Sequence, residues 1–291
     1  MLFRSNLNAS FNDKTFFPFP FNDVKQKSGA LNGNLGLNYL PGKNWKLAVV
    51  GSSGFRAPNI DDLAKVFELA AGNILVPNPN LKPEFTYNTD FNISKIIADK
   101  VSFEVGAFYT WYKNAITVQN SSFNGQSEII YNGVLSKVTT STNANRAFIY
   151  GYHAQVNAEF CDILSFNSSV SYTYGRIKAA SNLPLDHIPP VFGKAGLQLQ
   201  LKKFKSELSA NYNGWKRLKD YSSSGEDNLQ YATADGMPAW LIFNLRTAYQ
   251  LNTKLQMQAG LENITDKNYR MFASGISSAG RNLIFSIRGN F

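Results

Sequence analysis

The chain has a single cysteine, Cys161, in 291 residues. One thiol forms no internal disulfide and offers none of the paired spacings by which cysteines hold zinc, and beside the tight turn Cys161-Asp162 it reads as inert. No run of about 18 apolar residues exists, so no helix is expected to cross a bilayer. The N-terminus lacks a basic segment followed by an apolar one. Phe11 to Phe21 is aromatic but broken by Asp13, Lys14, Pro18 and Pro20, so any export signal is expected outside this sequence. The net charge of +9 comes without a helical Lys/Arg run or a nucleic-acid motif, and no nucleic-acid partner is expected. The two histidines, His153 and His187, have no nucleophile motif nearby; no catalytic residue, metal ligand or cofactor is assigned, and the chain does not read as an enzyme.

What the chain has in abundance is alternation. From Glu84 to Ser94 the odd positions are Phe85, Tyr87, Thr89, Phe91 and Ile93, whereas the even ones are Glu84, Thr86, Asn88, Asp90, Asn92 and Ser94. Successive strand side chains point to opposite faces, so one face is apolar and the other polar. The same pattern predicts strands over Leu31–Tyr39, Trp45–Phe55, Val101–Tyr112, Phe148–Phe160, Leu164–Tyr174, Val191–Leu201, Phe204–Trp215, Ala239–Gln250, Lys254–Ile264 and Leu283–Phe291, with a weaker one over Leu2–Ala9. A polar loop is expected up to Lys27 and another over Asn114–Asn145. Ile60, Leu63, Ala64, Phe67 and Ala70 keep a helical period, predicting a helix over Asn59–Ala71 capped by Asn59 or Asp61. About twelve antiparallel strands result, each near the length that spans a bilayer.

Alternation alone does not say whether the apolar face meets a core or lipid. Connection lengths do discriminate. Counted from the C-terminus they alternate long and short, so every short turn (near Gly42, Asp99, Asp162, Lys203 and Asn252) falls on one rim, as in outer-membrane barrels. Aromatics gather at both ends of the apolar face: Phe55, Phe85, Tyr87, Trp111 and Tyr150 at the long-loop rim, Tyr39, Trp45, Phe103 and Phe160 at the other. Aliphatics such as Leu35, Val49 and Val105 lie between, the order of a membrane barrel with two girdles. The polar face carries Glu84, Asp90, His153, Gln155, Arg246 and Arg288, assigned to a wet lumen because charges in a dry core would each cost several kcal/mol (roughly) unless paired. The fold class is therefore all-β, a transmembrane antiparallel β-barrel with about twelve strands present.

Gly54-Phe55-Arg56-Ala57-Pro58-Asn59, then Asn78-Pro79-Asn80-Leu81-Lys82-Pro83-Glu84, resembles the TonB-dependent outer-membrane receptors, as do Ile188-Pro189-Pro190, Gly260 to Tyr269 and the closing run to Phe291. The resemblance implies a bacterial outer-membrane receptor for a scarce ligand: a ferric siderophore, haem or cobalamin. Receptors of this kind have a plug, a TonB box and twenty-two strands. Residues 1–291 are expected to be a single barrel domain without a plug, the C-terminal half of such a barrel, meeting the TonB complex only through a plug it lacks. Anionic iron chelates favour cations and aromatic surfaces, which makes Arg56, Trp215, Lys216, Arg217, Tyr221, Tyr269, Arg270 and Arg281 candidate ligand contacts on the long loops. Basic residues of that rim (Lys113, Arg146, Arg176 and Lys178 among them) could instead pair with lipopolysaccharide phosphates, the other partners being outer-membrane lipids. A stand-alone twelve-stranded pore is the alternative, and a soluble β-rich binding protein the third reading.

Overall fold

In a computed structural model the described residues are 2–11, 15, 17–70, 72–178, 182–222 and 224–290. Strands β1 (Leu2–Ser10) and β2 (Asp23–Leu31) form an antiparallel pair of their own. There follow β3 (Asn34–Gly42), β4 (Trp45–Arg56), helix α1 (Ile60–Ala64), β5 (Phe67–Ala70), β6 (Asn73–Val76), β7 (Glu84–Ile97), β8 (Val101–Asn120) and β9 (Glu128–Tyr131). The remainder is β10 (Val134–Cys161), β11 (Leu164–Ile177), β12 (Leu183–Pro184), β13 (Phe192–Gln200), β14 (Phe204–Asn213), β15 (Trp240–Gln250), β16 (Leu255–Glu262) and β17 (Asn282–Gly289). Eleven of them make one antiparallel meander, β3-β4-β7-β8-β10-β11-β13-β14-β15-β16-β17.

The short turns all fall on one rim, as expected for a meander. Two are built on left-handed residues, Lys43 and Asn44 (φ 50° and 59°) and Ala98 and Asp99 (φ 50° and 54°). Such a turn twists with its strands. The long connections fall on the opposite rim. Neither β3 nor β17 has a second neighbour, so the sheet is open among the described residues.

Three expectations need correction. The helix over Asn59–Ala71 is only Ile60–Ala64, capped by Asn59 through a capping box with Asp62. Beyond it β5 and β6 form a hairpin, and β6 runs parallel to Lys137–Thr140 of β10. Burial of Ile74, Val76 and Val138 there outweighs the helical spacing. Secondly, most of 114–145 is not a loop, because β8 and β10 continue past the rim and stay paired as far as Asn120 and Thr139. Thirdly, the strand expected from Leu31 starts at Asn34 as β3, and the end of the loop expected up to Lys27 is strand instead, because Asp23–Leu31 pairs with β1 as β2. Phe291, expected to close the last strand, lies outside the described residues.

Packed apolar clusters lie at the long-loop rim, not along the middle of the sheet. Val24, Leu63 and Leu81 join the β1–β2 pair to α1. Ala115, Ala144, Ala147 and Ile177 seal the neck where β8, β10 and β11 leave the rim. The loops are thus set on packed bases, whereas large residues of the strand middles stay exposed, Leu35 at 83% and Val105 at 52%.

Candidate functional site

The pairing register gives each face a continuous texture. One row runs Lys46, Ser94, Glu104, Gln155, Ser169, Lys194, Asn211, Ile242 across eight strands. On the other face a row runs Phe166, Leu197, Leu208, Leu245, Leu261, Leu283. Glu84, Asp90, His153, Gln155, Arg246 and Arg288 all share the polar parity. Four of them are partnered: Arg246 with Glu262, Asp90 with the amide of Asn88, His153 with Glu104 at 3.9 Å, and Glu84 Oε2 with the Ile116 N–H at 2.7 Å. Large apolar side chains stay exposed along this face, Leu197, Leu208, Leu245 and Leu283 among them, whereas soluble monomers rarely expose contiguous apolar patches.

At the long-loop end of the polar face lies a cavity of about 650 Å³. Its floor is Ser169, Ser171, Lys194 and Asn211, with Phe192 and Trp240 rising from neighbouring strands, and loop residues His187, Tyr269, Met271 and Phe272 cover it. A second cavity of about 330 Å³ adjoins it behind Trp240 and Tyr269, reaching Tyr221, Tyr231 and Arg270. The Trp240 and Tyr269 rings stand 4.5 Å apart between the two, and Trp240 Nε1 donates to the Arg270 carbonyl at 3.0 Å.

The loop along the second cavity, residues 214–239, is closed at its neck by paired backbone bonds between Lys216 and Met237. Asp227, fully buried, accepts the His187 N–H at 2.8 Å and the Ser222 N–H at 2.9 Å, so one carboxylate ties two loops. Lys216 is buried too. Its ammonium donates to the Ile188 carbonyl and lies 4.6 Å from the Phe272 ring centre. Burial pushes the Lys216 amine below the ordinary lysine range against the pull of Asp227 and Asp220, and burial pushes the Tyr221 phenol up.

The structure brings Tyr221, Tyr269 and Arg270 to the walls of these two cavities, with Lys216 behind Phe272. Lys216 and Tyr221 face inward and brace the loops; Tyr221 packs edge-on to Phe272 at 5.7 Å. Arg270 donates to the Tyr231 carbonyl at 2.9 Å, and its Nε is buried with no hydrogen-bond partner among the described residues. Trp215 and Arg217 stack on each other at 4.3 Å at the exposed edge of the loop. Arg56 belongs elsewhere, paired with Asp62 at 3.0 Å, and Arg281 holds the Ile264 carbonyl at 3.0 Å. Phe192, Lys194, Trp240, Phe272 and Asp227 escaped the sequence reading of the site. For two of them a signal existed: Phe192 and Trp240 are aromatics at the polar parity of their strands, near the ends that meet the long loops.

The family described as TonB dependent receptor-like, beta-barrel matches residues 4–264. The chain belongs to that family. This TonB-dependent receptor barrel is 26% identical over 266 residues to the probable hemoglobin and hemoglobin-haptoglobin-binding protein 4 of Haemophilus influenzae, covering 84% of the chain and 25% of the relative. It is 22% identical over 245 residues to the iron-regulated outer membrane virulence protein of Vibrio cholerae, covering 81% of the chain and 36% of the relative. Among solved structures the barrel superposes on the copper transporter OprC (TM-score 0.77, 16% identity, all of this chain and 44% of that one). It superposes likewise on the ferric enterobactin receptor of Pseudomonas aeruginosa (TM-score 0.71, 19% identity, 92% and 42%). The receptor chain thus spans a quarter to about a third of these curated relatives and under half of these solved structures.

Proposed function

We propose that this chain forms the C-terminal wall and later loops of a bacterial outer-membrane receptor that captures an iron compound, most directly a ferric siderophore. Its apolar face meets lipid, and the face holding Glu84, Asp90, His153, Gln155, Arg246 and Arg288 lines the lumen. Transport past the wall is the work of a TonB-coupled plug that would fill the barrel. The free edges of β3 and β17 would be satisfied by further barrel strands, because unpaired backbone groups are costly in hydrocarbon.

One observation carries the ligand reading: the cavity of about 650 Å³ at the long-loop end of the polar face, with aromatic cover and Lys194 in its floor. Aromatic faces and a cation suit a flat, anionic chelate. The Arg270 Nε offers a further donor from the adjoining cavity. The relatives' names, hemoglobin-binding and ferric enterobactin receptor among them, favour iron compounds over other scarce solutes.

Trp240 lies between the two cavities and is the reporter. Titration of the receptor from outer membranes of the producing cells with a ferric siderophore should quench its tryptophan emission saturably, and iron-free siderophore should do so more weakly. Substitution of Phe272→Ala or Lys194→Gln should raise the apparent Kd about tenfold, the scale of one lost charge-assisted or aromatic contact. Saturable quenching by haem alone would reassign the ligand, and no response to any iron compound would overturn the reading.

A further inference from the structure

The floor of the cavity of about 650 Å³ is two rows of register partners on the polar face. Ser171, Phe192, Asn213 and Trp240 make one row, and Ser169, Lys194, Asn211 and Ile242 the next. Phe192, Trp240 and Ile242 therefore lie together, an apolar patch at the parity that elsewhere carries charges and amides. Trp240 and Ile242 are buried, whereas Phe192 stays 43% exposed and open to a ligand. With Tyr269, Met271 and Phe272 above it, most of the lining is carbon. A lining of this kind takes the apolar body of a ligand, and its few polar groups fix the orientation.

Charge is scarce here. Among the described residues one lysine and no arginine line the cavity, and the exposed Lys194 ammonium makes no hydrogen bond or ion pair with them. The neighbouring charges are already matched. Lys216 sits behind Phe272 and donates to the Ile188 carbonyl, Arg176 pairs with Asp220, and His187 has Glu226 at 3.0 Å. Arg270 belongs to the adjoining cavity, where it reaches the Tyr231 carbonyl at 2.9 Å. Ser169 and Asn211 flank Lys194 in its row and offer a hydroxyl and an amide to the same anionic oxygen. A second or third ligand charge would leave water and meet rings, and an unpaired charge in an apolar site is costly.

We propose that this cavity selects a ferric chelate with a single net negative charge and an apolar body, in preference both to neutral chelates and to the triply charged tris-catecholate class. The charged oxygen sits on Lys194, and the apolar body lies over Phe192, Trp240 and Ile242 beneath Phe272. The inference rests on the reading above of this cavity as the iron-compound site, and adds to it the charge and the surface of the compound. A neutral chelate would cover the Lys194 ammonium without pairing it, and a triply charged one would bring two charges that nothing in the lining meets.

The receptor purified in detergent from outer membranes of the producing cells is titrated with four ferric complexes of one tripodal chelator, its hydroxamate arms replaced one at a time by catecholate arms. Each hydroxamate carries one negative charge and each catecholate two, so the complexes run from neutral to triply negative at nearly constant size. Tryptophan quenching should show the singly charged complex bound tightest, with affinity falling about tenfold for each surplus charge. In the Lys194→Gln variant the optimum should move to the neutral complex, a change of selectivity that a general loss of structure does not produce. Tightest binding of the triply charged complex, or an equal loss for all four in a variant with native heat-modifiable gel mobility, overturns the charge class. Should the variant fail to fold, the order of the four complexes on the wild-type receptor decides alone. A pair of singly charged chelates ending in alkyl or hydroxyl groups tests the apolar body: the alkyl form should bind more tightly, and a tighter hydroxyl form overturns that half of the proposal. If no iron complex binds, the iron-compound reading falls and this inference with it, whereas binding in the wrong charge order removes the inference and leaves that reading standing.

Discussion

Gly236 has φ +102°, and a Cβ there would lie 2.0 Å from the Lys216 carbonyl oxygen. The neck of the 214–239 loop therefore closes only with glycine at this position. Gly236→Ala should cost about 1–3 kcal/mol of local stability and open the neck, seen as faster hydrogen exchange of residues 215–237 with the strands unaffected. Lys216 makes the same loop sensitive to pH. Its folded pKa is depressed while the unfolded chain keeps the ordinary value of about 10.4, so below that value the unfolded loop binds more protons than the folded one. Stability should rise as pH climbs from the depressed folded value toward the ordinary one. The Lys216→Arg variant, charged throughout, should lose that increase; proteolysis of the loop between pH 8 and 10 measures it. These residues also show how far the site could be read in advance. Residue type marked Lys216, Tyr221, Tyr269 and Arg270, but which of them point inward depends on Asp227 and Phe272, whose positions come from contacts between loops far apart in sequence. Arg56 drew attention as a basic turn residue, yet its partner Asp62 lies only six positions on and was there to be noticed.

The strands were legible because their information is local. A period of two, bounded by turn residues, places β3, β4, β7 and β13 to β17 within a few residues, and the short turns sort the rims without reference to the third dimension. Misreadings cluster where non-local pairing overrules the local signal. Phe67 and Ala70 keep the helical spacing of the segment before them but are drawn into β5, whose partner β6 is captured by β10, and β8 and β10 carry polar, Thr- and Asn-rich extensions whose alternation no longer separates oil from water. Pairing with a neighbour holds them, not burial of one face. Face assignment is open to a direct test on β14. Leu208, mid-strand on the apolar face, is half exposed and paired with Leu197 and Leu245, whereas Ser209 next to it has the opposite parity. Leu208→Lys should lower folding stability in phospholipid vesicles by about 2–4 kcal/mol, as a charge at mid-membrane depth does. Ser209→Lys should stay within about 0.5 kcal/mol. Urea titrations monitored by tryptophan emission compare them, and equal penalties would mean that hydrocarbon does not lie on the leucine side.

For the whole molecule the governing fact is that a long sheet ends twice. Every residue of β3 and of β17 is exposed, and among the described residues each strand keeps one row of N–H and C=O groups without a partner in the sheet. In water such edges invite pairing with other chains. In hydrocarbon each unmet group is costly enough to exclude an open sheet. The centre contrasts with the ends: β10 is paired over most of its length with β8 on one side and β11 on the other, and its outer part gains β6 and β9. Protection should therefore fall outward from β10. Refolded alone into detergent micelles, residues 1–291 are expected to run as mixed oligomers through edge pairing, with β3 and β17 exchanging their amides fastest and β8, β10 and β11 slowest. Hydrogen exchange read by mass spectrometry, with gel mobility before and after heating, tests both parts. A compact heat-modifiable monomer in which β17 is as protected as β10, with steady conductance in planar bilayers, would mean that the two ends find each other and the chain closes as a small pore. Oligomers that resolve to a single species only when additional barrel strands are supplied would place this sheet as one wall of a larger receptor.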